Sequence, residues 1–197
     1  MAYENSFYAK DQQAWRDWLA QNHDKQSAVW LIIYKKDSNT PSVYYPEAVD
    51  EALCFGWVDS KPNKRDDESY YQYFTPRNPR SKWSRVNKEK IARLIAADKM
   101  HPAGMAMVEQ AKASGTWTAL DAVEELLIPE DLQAALDAKP EARSHFEAFP
   151  PSSKKIILEW LLNAKRPETR QNRITETVEK AAQNIRANHY RQQKGST

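Results

Sequence analysis

Four glycines in 197 residues leave no place for a glycine-rich phosphate loop. P-loop and Rossmann dinucleotide readings are excluded, because both need glycines where backbone N–H groups wrap a phosphate. One cysteine, Cys54, excludes an internal disulfide framework and fits a reducing compartment. The four histidines (His23, His101, His145, His189) lie far apart in sequence. Neither an HExxH pattern nor a paired-cysteine spacing is present, so no metal or cofactor is expected. No GxSxG elbow occurs. No apolar run approaches the roughly 20 residues that span a bilayer; the longest, AVWLIIY at 28–34, is strand-sized. The opening MAYENSFYAKDQQAW has no basic start followed by an apolar run, so the expectations are no signal peptide, no membrane insertion and a cytoplasmic location.

What is present is an ordinary globular composition, 41% hydrophobic and 28% charged, which disfavours disorder over most of the chain. Net charge is only +2, but it is unevenly distributed. Residues 61–90 carry nine Lys/Arg against four Asp/Glu, and residues 121–147 carry eight acids against two bases. Residues 154–194 return to ten bases against four acids. Such zones permit anionic ligands without demanding them, and runs of this size are usually solvated faces.

Apolar spacing predicts a helix over 11–21 from Ala14, Trp15, Trp18 and Leu19, and a buried strand over 28–34. DSNTPS reads as a loop. Pro46 and Glu47 suit a helix start, and Gly56 suits its stop. WVDS and YYQYFTP read as two strands joined by the eight-residue KPNKRDDE, long for a hairpin. From Ser81 onward the pattern is helical. Ser84 caps a helix that is expected to turn Val86, Ile91, Leu94 and Ile95 inward. Pro102 and Gly115 bound the next, and two short proline-bounded helices follow. SSKKIILEWLLNAK is a strongly apolar helix. After Pro167 a last helix is expected to present Ile174, Val178, Ala181 and Ile185 along one side, and the tail HYRQQKGST to fray. The chain therefore reads as α+β and mostly helical, with a small three-stranded antiparallel sheet and helices in its N-terminal half and an all-helical C-terminal half. The boundary falls where composition turns from basic to acidic, giving units of 1–120 and 121–197.

Cys54 lies in ALCFGW, on the apolar stretch of a helix near its C-terminus. A reactive thiolate needs nearby positive charge or a helix N-terminus, so Cys54 reads as a small buried hydrophobe. The richest polar segment runs from 57 to 87. Asp59, Ser60, Lys61, Arg77, Ser81, Ser84 and Asn87 alternate there with Trp57, Tyr73, Phe74 and Trp83. A cleft built this way stacks a planar group on an aromatic face while Arg77 or Lys61 holds an anion. The bland reading packs the aromatics in the core, makes Ser81 or Ser84 a helix cap and pairs Arg77 with a surface acid. Basic residues among aromatics also suit single-stranded nucleic acid, but no RNA-binding signature accompanies them, so nucleic acid ranks below a small ligand. A second cluster, Arg166, Arg170 and Arg173, lies at a fresh helix N-terminus after Pro167. It would receive an anion or, in the favoured reading, bridge acids of the 121–147 segment.

The stretches YYPEAVDEALCFGWVDS, FTPRNPRSKWSRVNKEKIARLI and MHPAGMAMVEQAKASGTW resemble the YdeI/OmpD-associated, or bacteriocin-protection, family. So does the segment from IPEDLQAAL through FEAFPPSSKKIILEWLLNAKRPETRQNRI. The resemblance covers roughly residues 10 to 185. Asp98 departs from it, standing where the family pattern leads one to expect glycine. The resemblance implies a link to tolerance of antimicrobial peptides and, by name, to a porin. It supplies no reaction and no catalytic residues. Three functions follow in order: a module binding a small anionic or aromatic ligand, a protein–protein interaction protein, and an enzyme built on Asp59, Ser60 or Lys61. In the last, Lys61 would need burial to act as a base.

Overall fold

A computed structural model describes residues 3–189; the tail beyond His189 lies outside the described residues. The chain divides into two compact units after Thr118.

The N-terminal unit begins with β1 (Ser6–Tyr8), α1 (Gln12–Asn22) and β2 (Val29–Tyr34). It continues with α2 (Tyr45–Cys54), β3 (Trp57–Lys64) and β4 (Ser69–Pro76), and ends with α3 (Arg85–Ala96) and α4 (Pro102–Ser114). The sheet has four strands in the order β1-β2-β4-β3. It is mixed: β1 runs parallel to β2, whereas β2–β4 and β3–β4 are antiparallel. This corrects the expected three-stranded antiparallel sheet. The missed strand, SFY, is only three residues long, too short to show a period of two. α1 forms the crossover that parallel neighbours require.

The hairpin also differs from expectation. β3 continues through KPNK, leaving a connection of only Arg65–Glu68. Pro62 disguised it, since proline argues against a strand except at an edge or a bulge. Both conditions hold: β3 is an edge strand, and the register slips between Asp59 and Pro62. Residues facing the helices alternate in the required sense, with Val29, Leu31 and Ile33 buried and Trp30, Ile32 and Tyr34 half-buried. Trp15 and Leu19 of α1, Ala52 and Leu53 of α2, and Trp57 and Phe74 of the sheet fill this core.

Helix ends follow local chemistry. The Asp11 side chain accepts from the Ala14 N–H at 2.7 Å, and Ser84 accepts from Asn87 N–H at 3.3 Å, each supplying an acceptor to a free first-turn donor. Gly56 (φ 74°) and Gly115 (φ 76°) stand in left-handed geometry just past α2 and α4, where glycine costs least. On α3 only Ile91 and Leu94 are buried; Val86 and Ile95 are exposed, against expectation. Val86 lies in the first turn, and Ile95 follows Leu94 by one residue, about 100° around the helix.

The C-terminal unit contains a short α5 (Asp121–Glu124), then α6 (Glu130–Asp137), α7 (Pro140–Ala148), α8 (Pro151–Leu162) and α9 (Pro167–Ala182). Leu132, Leu136, Phe146, Ile157, Leu161 and Ile174 form its core. His145 Nδ1 lies 2.9 Å from the Ala181 carbonyl, tying α7 to the end of α9. Ile185 is exposed because α9 ends three residues before it, with Asn184 turning left-handed at φ 57°.

Candidate functional site

The chain leaves β4 at Pro76, and Arg77 is held at once: its N–H donates to the Gly56 carbonyl at 2.9 Å. The turn NPRS then reverses direction, with Ser81 N–H and Oγ both bonded to the Asn78 carbonyl. This turn brings Trp83 back over Arg77, placing the guanidinium carbon 3.8 Å from the centre of the indole ring. Arg77 Nη2 donates to the Lys82 carbonyl at 2.5 Å. Trp83 N–H bonds Thr116 O, and its ring lies 5.0 Å from that of half-buried Trp117. The ammonium groups of Lys112 and Lys88 stand 5.6 and 5.9 Å from the Trp117 ring.

Arg77 is 6% exposed, and among the described residues no carboxylate pairs with it. Its Nε is buried without a hydrogen-bond partner. The surface acid that a bland reading of the sequence assigns to Arg77 is absent. A buried charge without counter-charge is costly, and a buried donor left unmade adds the desolvation of that group, about 1–3 kcal/mol. Burial accordingly pushes the guanidinium down to about 10 from its ordinary 12.5, so it still carries its proton at neutral pH. Stacking on Trp83 offsets part of the cost, about 2 kcal/mol for a desolvated pair.

The other expected site residues do not converge. Trp57 is a core side chain whose Nε1–H donates to the His23 carbonyl at 3.1 Å. Asp59 accepts from the Tyr45 hydroxyl at 2.7 Å. Burial, and then that bond, push Tyr45 up to about 12. Ser60 and Lys61 are exposed at the β3 bulge, with Lys61 Nζ 5.9 Å from the centre of the Trp30 ring. Lys61 therefore lacks the burial that would make it a base. Asn87 is half-buried in the first turn of α3 and uses its backbone in the Ser84 cap. Only Arg77, Ser81 and Trp83 share one structural feature, the turn after β4.

In the C-terminal unit, Arg170 grips Asp131 with two bonds, Nε–Oδ2 at 2.5 Å and Nη2–Oδ1 at 2.8 Å. Hydrogen bonding to Arg170 holds the Asp131 carboxyl below the usual range. Arg173 donates to the Trp160 carbonyl at 2.5 Å and lies over that ring. Arg166 is exposed at the head of α9. Two of the three arginines are thus spent on joining helices. Cys54 is fully buried, and burial pushes its thiol up to about 11, which suits a packing residue.

A second concavity escaped the reading of the sequence. Gln12, Gln13, Arg16, Glu51, Asp98 and Lys99 line it. Its only signals in the sequence were a glutamate inside the apolar helix AVDEALC and an aspartate in place of an expected glycine. Among the described residues, no group of three or more His, Cys, Asp or Glu is placed to hold a metal, and no helix is long and apolar enough to cross a membrane.

These features define a two-unit α+β protein whose N-terminal unit buries an unpaired arginine against a tryptophan. Residues 7–107, just over half of the chain, match the model of a domain of unknown function, DUF8412, and the protein belongs to that family. Residues 125–184 match the model described as "Bacteriocin-protection, YdeI or OmpD-Associated". The resemblance read from the sequence is therefore found in the C-terminal unit, whereas ALCFGW and PRNPRSKWSRVN fall within the other match. No curated protein and no solved structure matches the chain.

Proposed function

We propose that the protein is a cytoplasmic binding module for a small anion borne on a planar, preferably aromatic, body. One observation carries this reading: Arg77 is a buried cation with an unsatisfied Nε and, among the described residues, no acid beside it. A phosphate or carboxylate supplies both the counter-charge and the acceptor, in a charge-assisted bond about twice as strong as a neutral one. The half-buried Trp117 ring, rimmed by Lys88 and Lys112, offers a stacking surface for the planar part. The description of the C-terminal match supports a role for such binding in tolerance of antimicrobial peptides.

The experiment is isothermal titration with phenyl phosphate, benzoate and orthophosphate against the wild type and Arg77→Met. Methionine keeps an unbranched apolar stem and removes the charge. Saturable binding of the aromatic anions by the wild type, weakened at least about tenfold in the variant, is the expected result. Equal affinity in both proteins refutes the site.

A further inference from the structure

The second concavity has a volume of about 400 Å³ and opens where α1, α2 and the α3–α4 turn meet. At its base the Glu51 carboxylate, 2% exposed, accepts from Gln12 Nε2 and Arg16 Nη1, each at 2.6 Å. Arg16 Nη2 donates to the Lys99 carbonyl at 2.9 Å, so the base is braced from three elements. Each Glu51 oxygen accepts one bond and retains capacity for another. At the rim the Asp98 carboxylate and the Lys99 ammonium are exposed, and among the described residues neither is bonded to a protein group. The lining holds two acids, two bases and two amides, with no apolar side chain. Apolar solutes gain nothing there, and neither net sign of charge is favoured.

Two of these choices cost stability. The Glu51 side chain is 3% exposed and that of its partner Arg16 30%; a well-packed apolar pair often matches or exceeds an ion pair drawn this far out of water. Asp98 adopts φ 54°, a left-handed conformation that glycine adopts more cheaply. Two concessions meeting at one cavity are the pattern of a site retained for binding rather than for folding.

We propose that this cleft binds a small zwitterion carrying an ammonium and a carboxylate, the chemistry of a free α-amino acid. The ammonium is received by Glu51 and Asp98, and the carboxylate by Lys99 and the exposed edge of Arg16. The site is independent of Arg77.

The test is titration calorimetry of the full chain with each of the twenty proteinogenic amino acids, with acetate and methylammonium as half-molecule controls. Asp98→Asn keeps a residue that tolerates the left-handed turn and removes its charge; Lys99→Gln removes the opposite charge at an exposed position. At least one amino acid is expected to bind saturably, with affinity falling about tenfold or more in each variant and neither half-molecule binding. Absence of saturable binding by all twenty, or wild-type affinity in either variant, overturns the proposal. Arg77→Met should leave amino-acid binding unchanged, so failure of this site and failure of the anion site are read separately.

Discussion

At the scale of single residues, Asp98 and Arg77 are two side chains whose placement opposes stability. Asp98 closes α3 in left-handed geometry, where an L-residue carries a steric penalty that glycine lacks. Asp98→Gly is expected to stabilise the protein by about 0.5–1 kcal/mol while abolishing amino-acid binding. Urea denaturation and calorimetry check the two halves of that statement. Cys54 makes the complementary case. Its thiol is buried and pushed up to about 11, so iodoacetamide at pH 8 should label the unfolded chain quickly and the native protein scarcely at all. Mass spectrometry with and without urea gives the answer.

At the scale of elements, close backbone approach decides what packs. A Cβ added at Gly104 of α4 would lie 2.1 Å from the Cys54 carbonyl oxygen, so α4 rests directly on the end of α2. Gly104→Ala forces these helices apart, and the overpacking should cost about 2 kcal/mol or more by urea denaturation, despite alanine's better helix propensity. In the other unit Arg170 and Asp131 join α9 to α6 through a bidentate pair. Arg170→Ala should cost about 0.5–1 kcal/mol, the range for a partly exposed pair. Asp131 titrates below its ordinary value in the fold. The pair's contribution is therefore present above the unfolded value, about 3.9, and is lost as pH falls through the lower folded one. The difference between wild type and variant should shrink accordingly in acid unfolding measurements.

The elements that could be read from sequence share strong local chemistry. Asp11, Pro46, Ser84, Pro102 and Gly115 punctuate the helices where their side chains or backbone freedom dictate. What stayed hidden depends on distant partners. SFY becomes a strand only because Asn5 and Phe7 lie beside β2, and KPNK only because Tyr71 and Gln72 pair with it. The arginine turn was legible as a rich polar segment, yet its content was not. Composition cannot show that Arg77 is buried without an acid, while Asp59, Ser60 and Lys61 lie elsewhere on the sheet. Glu51 and Asp98 are far apart in sequence, so the cleft they share exists only in the fold.

At the scale of the whole molecule, two units correspond to two family matches, one across 7–107 and one across 125–184. Both proposed ligand sites lie in the first unit, and the second is a helical core in which Arg170 and Arg173 are occupied in joining helices. Arg77, a buried cation that takes its counter-ion from the ligand, is central to the proposed function. Its Nε–H group is observable in a ¹H–¹⁵N spectrum and assignable by the loss of its signal in Arg77→Met. If Arg77 binds the ligand's anion, phenyl phosphate moves this signal saturably and slows its exchange with water, whereas matched sodium chloride does neither. A signal that stays in place throughout the titration, or that chloride shifts equally, would contradict it.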